Sequence, residues 1–307
     1  MAQTLTIGSR GSKLALTQSH MVRDLLQKRH ADLKIKLEII QTTGDTTPGS
    51  LRNFGGQGVF TGEIERALLD GRIDLAVHSL KDLPTQFHAD LMLVAAPLRE
   101  DVRDVLITRQ GCGLNALPAN TRLGTGSLRR QAQLLALRPD LRFADIRGNL
   151  DTRISKVKEG QYDGIVLAAA GLHRLGWTEQ ISAYLETRQV LPAVGQAALG
   201  LQMRRQDPNA SFVEAINHGP TFAAITAERS LLAHLGGGCQ APIAAWARQR
   251  EGQIDLDGLV AHPDGTKLLR AWASAPPEQA EHLGAALADD LRGQGADAIL
   301  EEAGVAP

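Results

Sequence analysis

The residue best suited to covalent chemistry is Cys239, in the run Leu235-Gly236-Gly237-Gly238-Cys239-Gln240-Ala241-Pro242. Three glycines ahead of a cysteine make a loop that leaves the sulfur accessible, whereas a cysteine kept for packing sits among apolar neighbours. The thiolate is a strong nucleophile, and an unperturbed thiol with a pKa of about 8.5 is already partly ionised near neutrality. Cys112, in Gly111-Cys112-Gly113, has no basic neighbours and reads as an ordinary loop residue. Neither cysteine has metal-ligand spacing to another Cys or His, so no metal is expected, and two cysteines are too few for a disulfide framework. His78, His173 and His234 read as structural or solvated.

A carboxylate stands out in Ser79-Leu80-Lys81-Asp82-Leu83-Pro84, at the end of an apolar strand. An Asp there is a cap, a salt-bridge partner, or a group that stabilises a cation or moves a proton in a cleft. The residues alone leave these open. Three further loops gather donors for anions: Ser9-Arg10-Gly11-Ser12, Thr125-Gly126-Ser127-Leu128-Arg129-Arg130, and Ile146-Arg147-Gly148-Asn149 followed by Arg153. Each sits between a strand and a helix, where backbone N–H groups and the helix dipole favour negative charge. Solvated arginines are the bland reading of any one loop; three such clusters together point to a polyanion site.

These loops need elements to position them. Leu5–Ile7 reads as a strand and Leu14–Leu26 as a helix; Lys34–Ile40 alternates like a strand, Gly62–Leu69 is helical, and Ile73–Val77 is a short apolar strand. The plan repeats with a strand at Arg122–Gly124, a helix running to Leu137, a strand at Leu141–Ile146, a helix at Leu150–Val157 and a strand at Gly164–Ala168. Asp70-Gly71-Arg72-Ile73-Asp74-Leu75-Ala76-Val77 and Glu159-Gly160-Gln161-Tyr162-Asp163-Gly164-Ile165-Val166 look alike, with Gly ending a helix and Asp preceding a buried strand. Alternation of this kind predicts βαβ units around mainly parallel sheets, hence two α/β domains with ligand at strand C-termini or in a cleft. The last third differs. Strands at Ile243–Arg248, Gln253–Ala261 and Lys267–Ala273 and helices near Pro277–Arg292 and Ala296–Ala303 predict a small α+β domain with an antiparallel sheet, starting near Asn217–Pro220.

The chain has 307 residues, a hydrophobic fraction of 43% and a formal net charge of −1. That allows two or three cored units and argues against a general nucleic-acid or membrane-surface binder. Of its 33 cationic residues 8 are lysine and 25 arginine. Arginine grips carboxylates with two donors at once, though a GC-rich genome would produce the same bias. No signal-peptide-like start and no bilayer-spanning run is seen, so a cytoplasmic protein is expected.

Taken in order, SRGSKLAL (9–16), TTGD (42–45), AVHSLKDLP (76–84), GTGSLRRQAQL (124–134), IRGNLDTRISK (146–156), AAAGLHRLG (168–176), LPAVGQAALG (191–200), TAERSLL (226–232) and GGGCQAP (236–242) resemble the porphobilinogen deaminase family over essentially the whole chain. The resemblance implies a transferase that joins four porphobilinogen units into the linear tetrapyrrole hydroxymethylbilane, releasing ammonia each time, on a dipyrromethane primer attached to Cys239 by a thioether. It implies Asp82 as catalytic carboxylate, buried near the pyrrole N–H groups, where it would stabilise the azafulvene cation left by ammonia loss. Cofactor contacts are implied for Ser79, Lys81, Thr125, Ser127, Arg129, Arg130, Arg147, Gly148 and Asn149, and substrate contacts for Arg10, Ser12, Arg153, Arg174 and Gln196. The arginines would act as counterions to acetate and propionate groups of the growing polypyrrole chain.

The implied fold is two domains like type II periplasmic binding proteins, 1–97 with 197–216 and 98–196, around a cleft, plus a C-terminal domain at 217–307 carrying the cysteine loop. A monomer, with no nucleic-acid or membrane partner, is implied as well. One stretch departs from the family pattern: Gln57, Asn53 and Gly62 replace residues often basic in relatives, in a loop thought to cover the cleft. A non-catalytic anion receptor would use the same arginine loops but leaves the GGGC loop and third domain unexplained. A cysteine hydrolase would need a histidine base near Cys239.

Overall fold

The computed structural model describes residues 3–42, 61–238 and 241–305. The chain divides into two compact units, Met1–Arg99 with Ala198–Ala223, and Glu100–Ala197 with Ala224–Pro307. In chain order, β1 (Thr4–Ser9), α1 (Lys13–Arg29), β2 (Lys34–Ile39), α2 (Gly62–Leu69), β3 (Leu75–Ser79) and β4 (Leu91–Ala95) build the first unit. The chain then forms β5 (Asp104–Thr108), β6 (Arg122–Gly124), α3 (Leu128–Leu137), β7 (Arg142–Ala144), α4 (Leu150–Lys158), β8 (Gly164–Ala168), α5 (Ala169–Leu175) and β9 (Ala183–Leu185). It returns to the first unit with β10 (Leu199–Arg204) and α6 (Ala210–Glu214). The C-terminal part holds α7 (Gly219–His234), β11 (Ile243–Arg250), β12 (Gln253–Ala261), β13 (Leu268–Ala275), α8 (Ala280–Gly293) and α9 (Ala296–Glu302). No linker marks its start, since α7 runs through the division between the units.

The two five-stranded sheets share one plan. Their orders are β2-β1-β3-β10-β4 and β7-β6-β8-β5-β9. In each, the first three strands are parallel and the fourth runs against the third. The fifth strand runs against the fourth, so four strands of each sheet share one direction as the alternating pattern suggested, and β10 and β5 are the reversed strands that make the sheets mixed. Strands buried on both faces read as short apolar runs whatever their direction, so periodicity cannot tell β5 or β10 from a parallel neighbour.

The paired segments noticed in the sequence sit at equivalent strands, β3 and β8, and their aspartates do the same work. Asp74 accepts the Thr6 N–H on β1 at 2.8 Å through its side chain, and Asp163 accepts the Arg122 N–H on β6 at 2.8 Å. Gly71 and Gly160, at φ 71° and 80°, supply the left-handed residue that ends each preceding helix. Serine caps start the helices that follow β1 and β6: Ser12 Oγ accepts from Ala15 N at 3.3 Å and Ser127 Oγ from Arg130 N at 3.4 Å.

Apolar side chains fill both faces of each sheet. In the first unit Leu5, Ile7, Leu75, Val77, Leu199 and Leu201 pack with Val22 and Leu26 of α1, while Ile73 and Ala76 face Ile64, Ala67 and Leu68 of α2. The C-terminal sheet, β11-β12-β13, is antiparallel and covered by α8. Ala244, Leu259 and Ala261 of that sheet share a core with Ala132 of α3 and Leu191, so the C-terminal sheet and α3 are held in one body. Among the described residues no helix is long and apolar enough to cross a membrane.

Helices α7 and α8 approach at Gly284. A Cβ there would overlap the Ala227 carbonyl oxygen and lie 2.6 Å from Ser230 Cβ and 2.7 Å from Leu231 N. Backbone atoms cannot step aside cheaply, so Gly284→Ala should destabilise the second unit by about 1–3 kcal/mol. Denaturant unfolding followed by circular dichroism checks this; an unchanged midpoint would show that the helices part without cost.

Candidate active site

Strand β3 delivers the first group of candidate residues. Beyond Ser79 the chain makes a 3-10 turn over Leu80–Asp82, in which Leu80 N donates to Ala198 O at 3.0 Å. Leu80 and Leu83 are buried, at 1% and 2% exposure, and Gly200 opposite leaves room for Leu80. With both leucines pinned inward, the two residues between them must face out. Lys81 is half-buried and Asp82 exposed. The expectation of a buried Asp82 is therefore corrected: its position on the outside of a tight turn, fixed by the flanking leucines, leaves the carboxylate in solvent. Ser79 Oγ is held by the amide of Gln18, accepting from Nε2 at 2.9 Å. Arg10 and Ser12 follow β1 and are half-buried.

His78 lies just behind this turn and is buried. Gln202 Nε2 donates to Glu65 Oε1 at 2.8 Å, which turns Gln202 Oε1 toward His78 Nε2 at 3.0 Å. The proton of the neutral ring is therefore assigned to Nε2. Burial pushes the His78 pKa down to about 4, with the Arg10 charge adding to the shift and the Gln202 bond opposing it.

In the second unit the arginines separate into two kinds. Of the seven between residues 122 and 153, Arg138 is tied to Asp140 at 2.6 Å and to the Leu114 and Leu117 carbonyls, Arg142 bonds Asn120, and Arg122 lies over the Tyr162 ring. Arg147 and Arg153 lie at the loop after β7, with Arg147 Nε 3.5 Å from Asp145 Oδ2. Arg153 Nε donates to Gly148 O at 2.7 Å, and Lys156 Nζ to Arg147 O at 3.1 Å. Gly148 has φ 110°, and a Cβ there would lie 2.7 Å from Thr152 Cγ2, so the tight loop requires glycine. Asn149 is the exposed N-cap residue of α4. Thr125 is buried and its Oγ1 accepts the Ser127 N–H at 3.2 Å.

Arg129 and Arg130, expected as cofactor contacts, are placed inside the second unit. Both are buried by α3 against β5, and both meet Asp104, a residue the sequence reading passed over. Arg129 Nη2 donates to Asp104 Oδ2 at 2.8 Å and Arg130 Nη2 to Oδ1 at 2.7 Å. Burial by itself would raise the Asp104 pKa, yet the Arg129 and Arg130 charges hold its carboxyl well below the usual carboxylate range. Gln196, expected at the substrate, is fully buried; its Nε2 donates to Asp104 Oδ1 at 2.9 Å and Val102 O at 2.8 Å. It positions Asp104 because the chain folds inward after the left-handed Gly195. Asp104 opens an ordinary apolar strand, and no spacing in the sequence links it to residues 129 and 130.

Arg174 differs again. Its Nη2 donates to Ala197 O at 2.6 Å, while its Nε is sealed from solvent without a hydrogen-bond partner among the described residues. Burial pushes the Arg174 pKa down to about 10, with the Glu100 charge opposing. Among the described residues its guanidinium is thus answered by the Ala197 carbonyl and the Glu100 charge. Cys112 is half-buried beside Thr108 and packs on an apolar cluster, as a loop cysteine does. Cys239 lies outside the described residues, as do Gln57 and Asn53; Gly62 is the first residue of α2. Ala241 N donates to Gly238 O at 3.0 Å. Among the described residues no group of three or more His, Cys, Asp or Glu side chains could hold a metal ion.

The family model described as porphobilinogen deaminase, dipyromethane cofactor binding domain, matches residues 5–211, and the model of the porphobilinogen deaminase C-terminal domain matches residues 222–293. A porphobilinogen deaminase of Syntrophobacter fumaroxidans is 45% identical over 302 residues, covering 98% of both chains. One from a Roseiflexus species is 47% identical over 302 residues, covering 98% of this chain and 99% of its own. Among solved structures, the methionine binding protein MetQ superposes with a TM-score of 0.45 at 10% identity, over 75% of this chain and 94% of its own.

The buried His78 gives the first unit a pH dependence. Its folded pKa of about 4 lies below the ordinary 6.5, so the folded chain binds fewer protons than the unfolded one. Stability is then unaffected above the ordinary value and falls as pH drops toward the folded one, by about 3 kcal/mol at full protonation. Unfolding midpoints measured from pH 7 to pH 4 should decline less steeply in His78→Gln than in wild type, and identical slopes would assign the acid sensitivity elsewhere.

Proposed function

The chain belongs to the porphobilinogen deaminase family, and on that premise we propose which of its residues carry the family's reaction. It is a transferase of tetrapyrrole biosynthesis that polymerises porphobilinogen, with release of ammonia, on a dipyrromethane cofactor. The observation that carries the assignment of roles is the match of the cofactor-binding model to residues 5–211, the span containing every arginine loop and the Asp82 turn.

The residues present suit the cofactor. A dipyrromethane bears acetate and propionate groups, and the second unit offers it cationic and hydroxyl donors. The Nε atoms of Arg130 and Arg174 are buried without a hydrogen-bond partner among the described residues, which is what a site awaiting carboxylates would show. In this reading Cys239 carries the group through a thioether. Lys81, Ser79, Thr125, Ser127, Arg147, Gly148 and Asn149 hold its carboxylates, with Arg129 and Arg130 presenting their unused N–H groups from behind. When bound, the cofactor supplies the terminal pyrrole carbon to which the next unit is joined. Charge-assisted bonds of this kind contribute about 1.5–3 kcal/mol each, less where water competes.

Arg10, Ser12, Arg153 and Arg174 would orient the carboxylates of incoming porphobilinogen. Asp82 is the catalytic residue. Its carboxylate stands clear of the turn beside Lys81, so it can reach a substrate nitrogen, stabilise positive charge as ammonia departs, and take up or return a proton. Exposure makes it accessible; exclusion of water around it must come from substrate. The three-domain division at residues 98, 197 and 217 belongs to this reading, supported by the separate sheets and the separate C-terminal family model. So do a monomeric state and a cytoplasmic location. The absence of a nucleic-acid or membrane partner fits the net charge of −1.

Because Asp82 is exposed and supports no fold contact named above, Asp82→Ala should fold normally and lose at least about 100-fold in kcat. Near-normal turnover by the folded variant would remove Asp82 from the mechanism. The attachment point is checked by denatured intact mass. Wild type should exceed its polypeptide mass by two porphobilinogen units less their ammonia, and Cys239→Ser should not. An excess retained in Cys239→Ser would place the attachment on another residue.

A further inference from the structure

Asp104 has no part in the reaction as described, yet the second unit converges on it. It is fully buried at the first residue of β5, and its oxygens accept from Arg129 Nη2 at 2.8 Å, Arg130 Nη2 at 2.7 Å and Gln196 Nε2 at 2.9 Å. The remaining terminal nitrogens of both arginines are fixed on backbone: Arg129 Nη1 on Leu191 O at 2.7 Å and Arg130 Nη1 on Val166 O at 2.9 Å. Among the described residues two cations share one anion, which leaves the cluster one positive charge in excess, and Arg130 Nε is buried without a hydrogen-bond partner.

For the fold alone this is a poor arrangement. A buried ion cluster is often no more stabilising than apolar residues of the same volume, and an unbalanced one is worse. It makes sense if a second anion joins the arginines during function. We propose that Asp104 is a positioning residue that stands in for a ligand carboxylate, holding both guanidiniums charged and oriented until a carboxylate of the bound pyrrole chain shares them. This rests on the reading that Arg129 and Arg130 serve the polyanion.

The consequence has a definite sign. Asp104 and the ligand carboxylate are like charges acting on the same two cations, so each weakens the hold of the other. By reciprocity, removing the Asp104 charge makes the ligand's charge more valuable. Asp104→Asn keeps the shape and one acceptor oxygen and removes only that charge. A carboxylate that merely packed the core would cost the same with or without ligand.

The test compares thermal unfolding midpoints of apo-protein and of protein loaded by incubation with porphobilinogen, loading being read by intact mass. Asp104→Asn should lower the midpoint more in the apo-protein than in the loaded protein, so that stabilisation by loading grows. Equal lowering in both forms, or greater lowering in the loaded one, overturns the proposal. If Asp104→Asn does not fold, the double variant Asp104→Asn with Arg129→Gln, which restores the net charge of the cluster, should fold; its failure also overturns the proposal. Arg130→Gln tests the reading underneath. It should shrink the stabilisation by loading, and an unchanged value would remove the polyanion reading and the proposal with it.

Discussion

A guanidinium taken out of water must meet an anion or a set of carbonyl oxygens, and the degree to which each buried arginine does so organises this protein. Arg204 represents one limit. It reaches Asp74 at 3.1 Å, Asp207, and the Ile73 carbonyl at 2.7 Å, and so fastens β10 to the turn that precedes β3. Its guanidinium is fully engaged by groups of the fold, and the residue is structural. Arg129 and Arg130 stand at the middle of the range, sharing one carboxylate. Arg174 stands at the other limit, with a carbonyl for a partner and its pKa pushed down by burial. Composition could not rank these residues. Their environments do, and the ranking separates arginines that hold the fold from those available to an anion.

The duplicated sheet plan explains where that availability is placed. The loops after β1 and β6 occupy equivalent positions and begin the next helix with a serine cap. At the next equivalent pair the two units diverge. Beyond β8 the chain enters α5 directly and presents Arg174, whereas beyond β3 it makes a single 3-10 turn and presents Asp82. One scaffold thus yields a cation at one strand end and a carboxylate at the corresponding one. The scaffold itself is fixed by features with no charge-binding role: the Asp74 and Asp163 side chains closing onto β1 and β6, and the left-handed glycines 71 and 160.

Much of this was legible in the residues. The repeat between residues 70–77 and 159–166, the serine caps and the antiparallel hairpins of the C-terminal sheet have local signals, and the fold carries them at the expected positions. Strand direction was not legible, because β5 and β10 are buried on both sides and lack the alternation that would mark them. The Asp104 cluster was not legible either. Its members lie at residues 104, 129, 130 and 196, brought together by β5, α3 and the inward fold of the chain after Gly195, and no window of sequence contains them. The exposure of Asp82 was misjudged for a related reason: it depends on Leu80 and Leu83 both being anchored in the core, which the motif does not reveal.

The two aspartates show how environment divides labour between identical side chains. Asp104 is sealed, ionised and surrounded by donors, so it can neither accept a substrate proton nor touch a reacting atom; what it can do is hold charge in place. Asp82 has the opposite setting, an exposed carboxylate on a turn whose neighbours supply rigidity without covering it. In the proposed reading this separation keeps an electrostatic anchor apart from a proton-handling group. The separation follows the compact units as well. Asp82 belongs to the first, while Asp104, its arginines and both residues bounding the Cys239 segment, Gly238 and Ala241, belong to the second. In the proposed reading the attachment point and the charges that answer the cofactor's carboxylates therefore belong to one unit, apart from the carboxylate assigned to proton transfer.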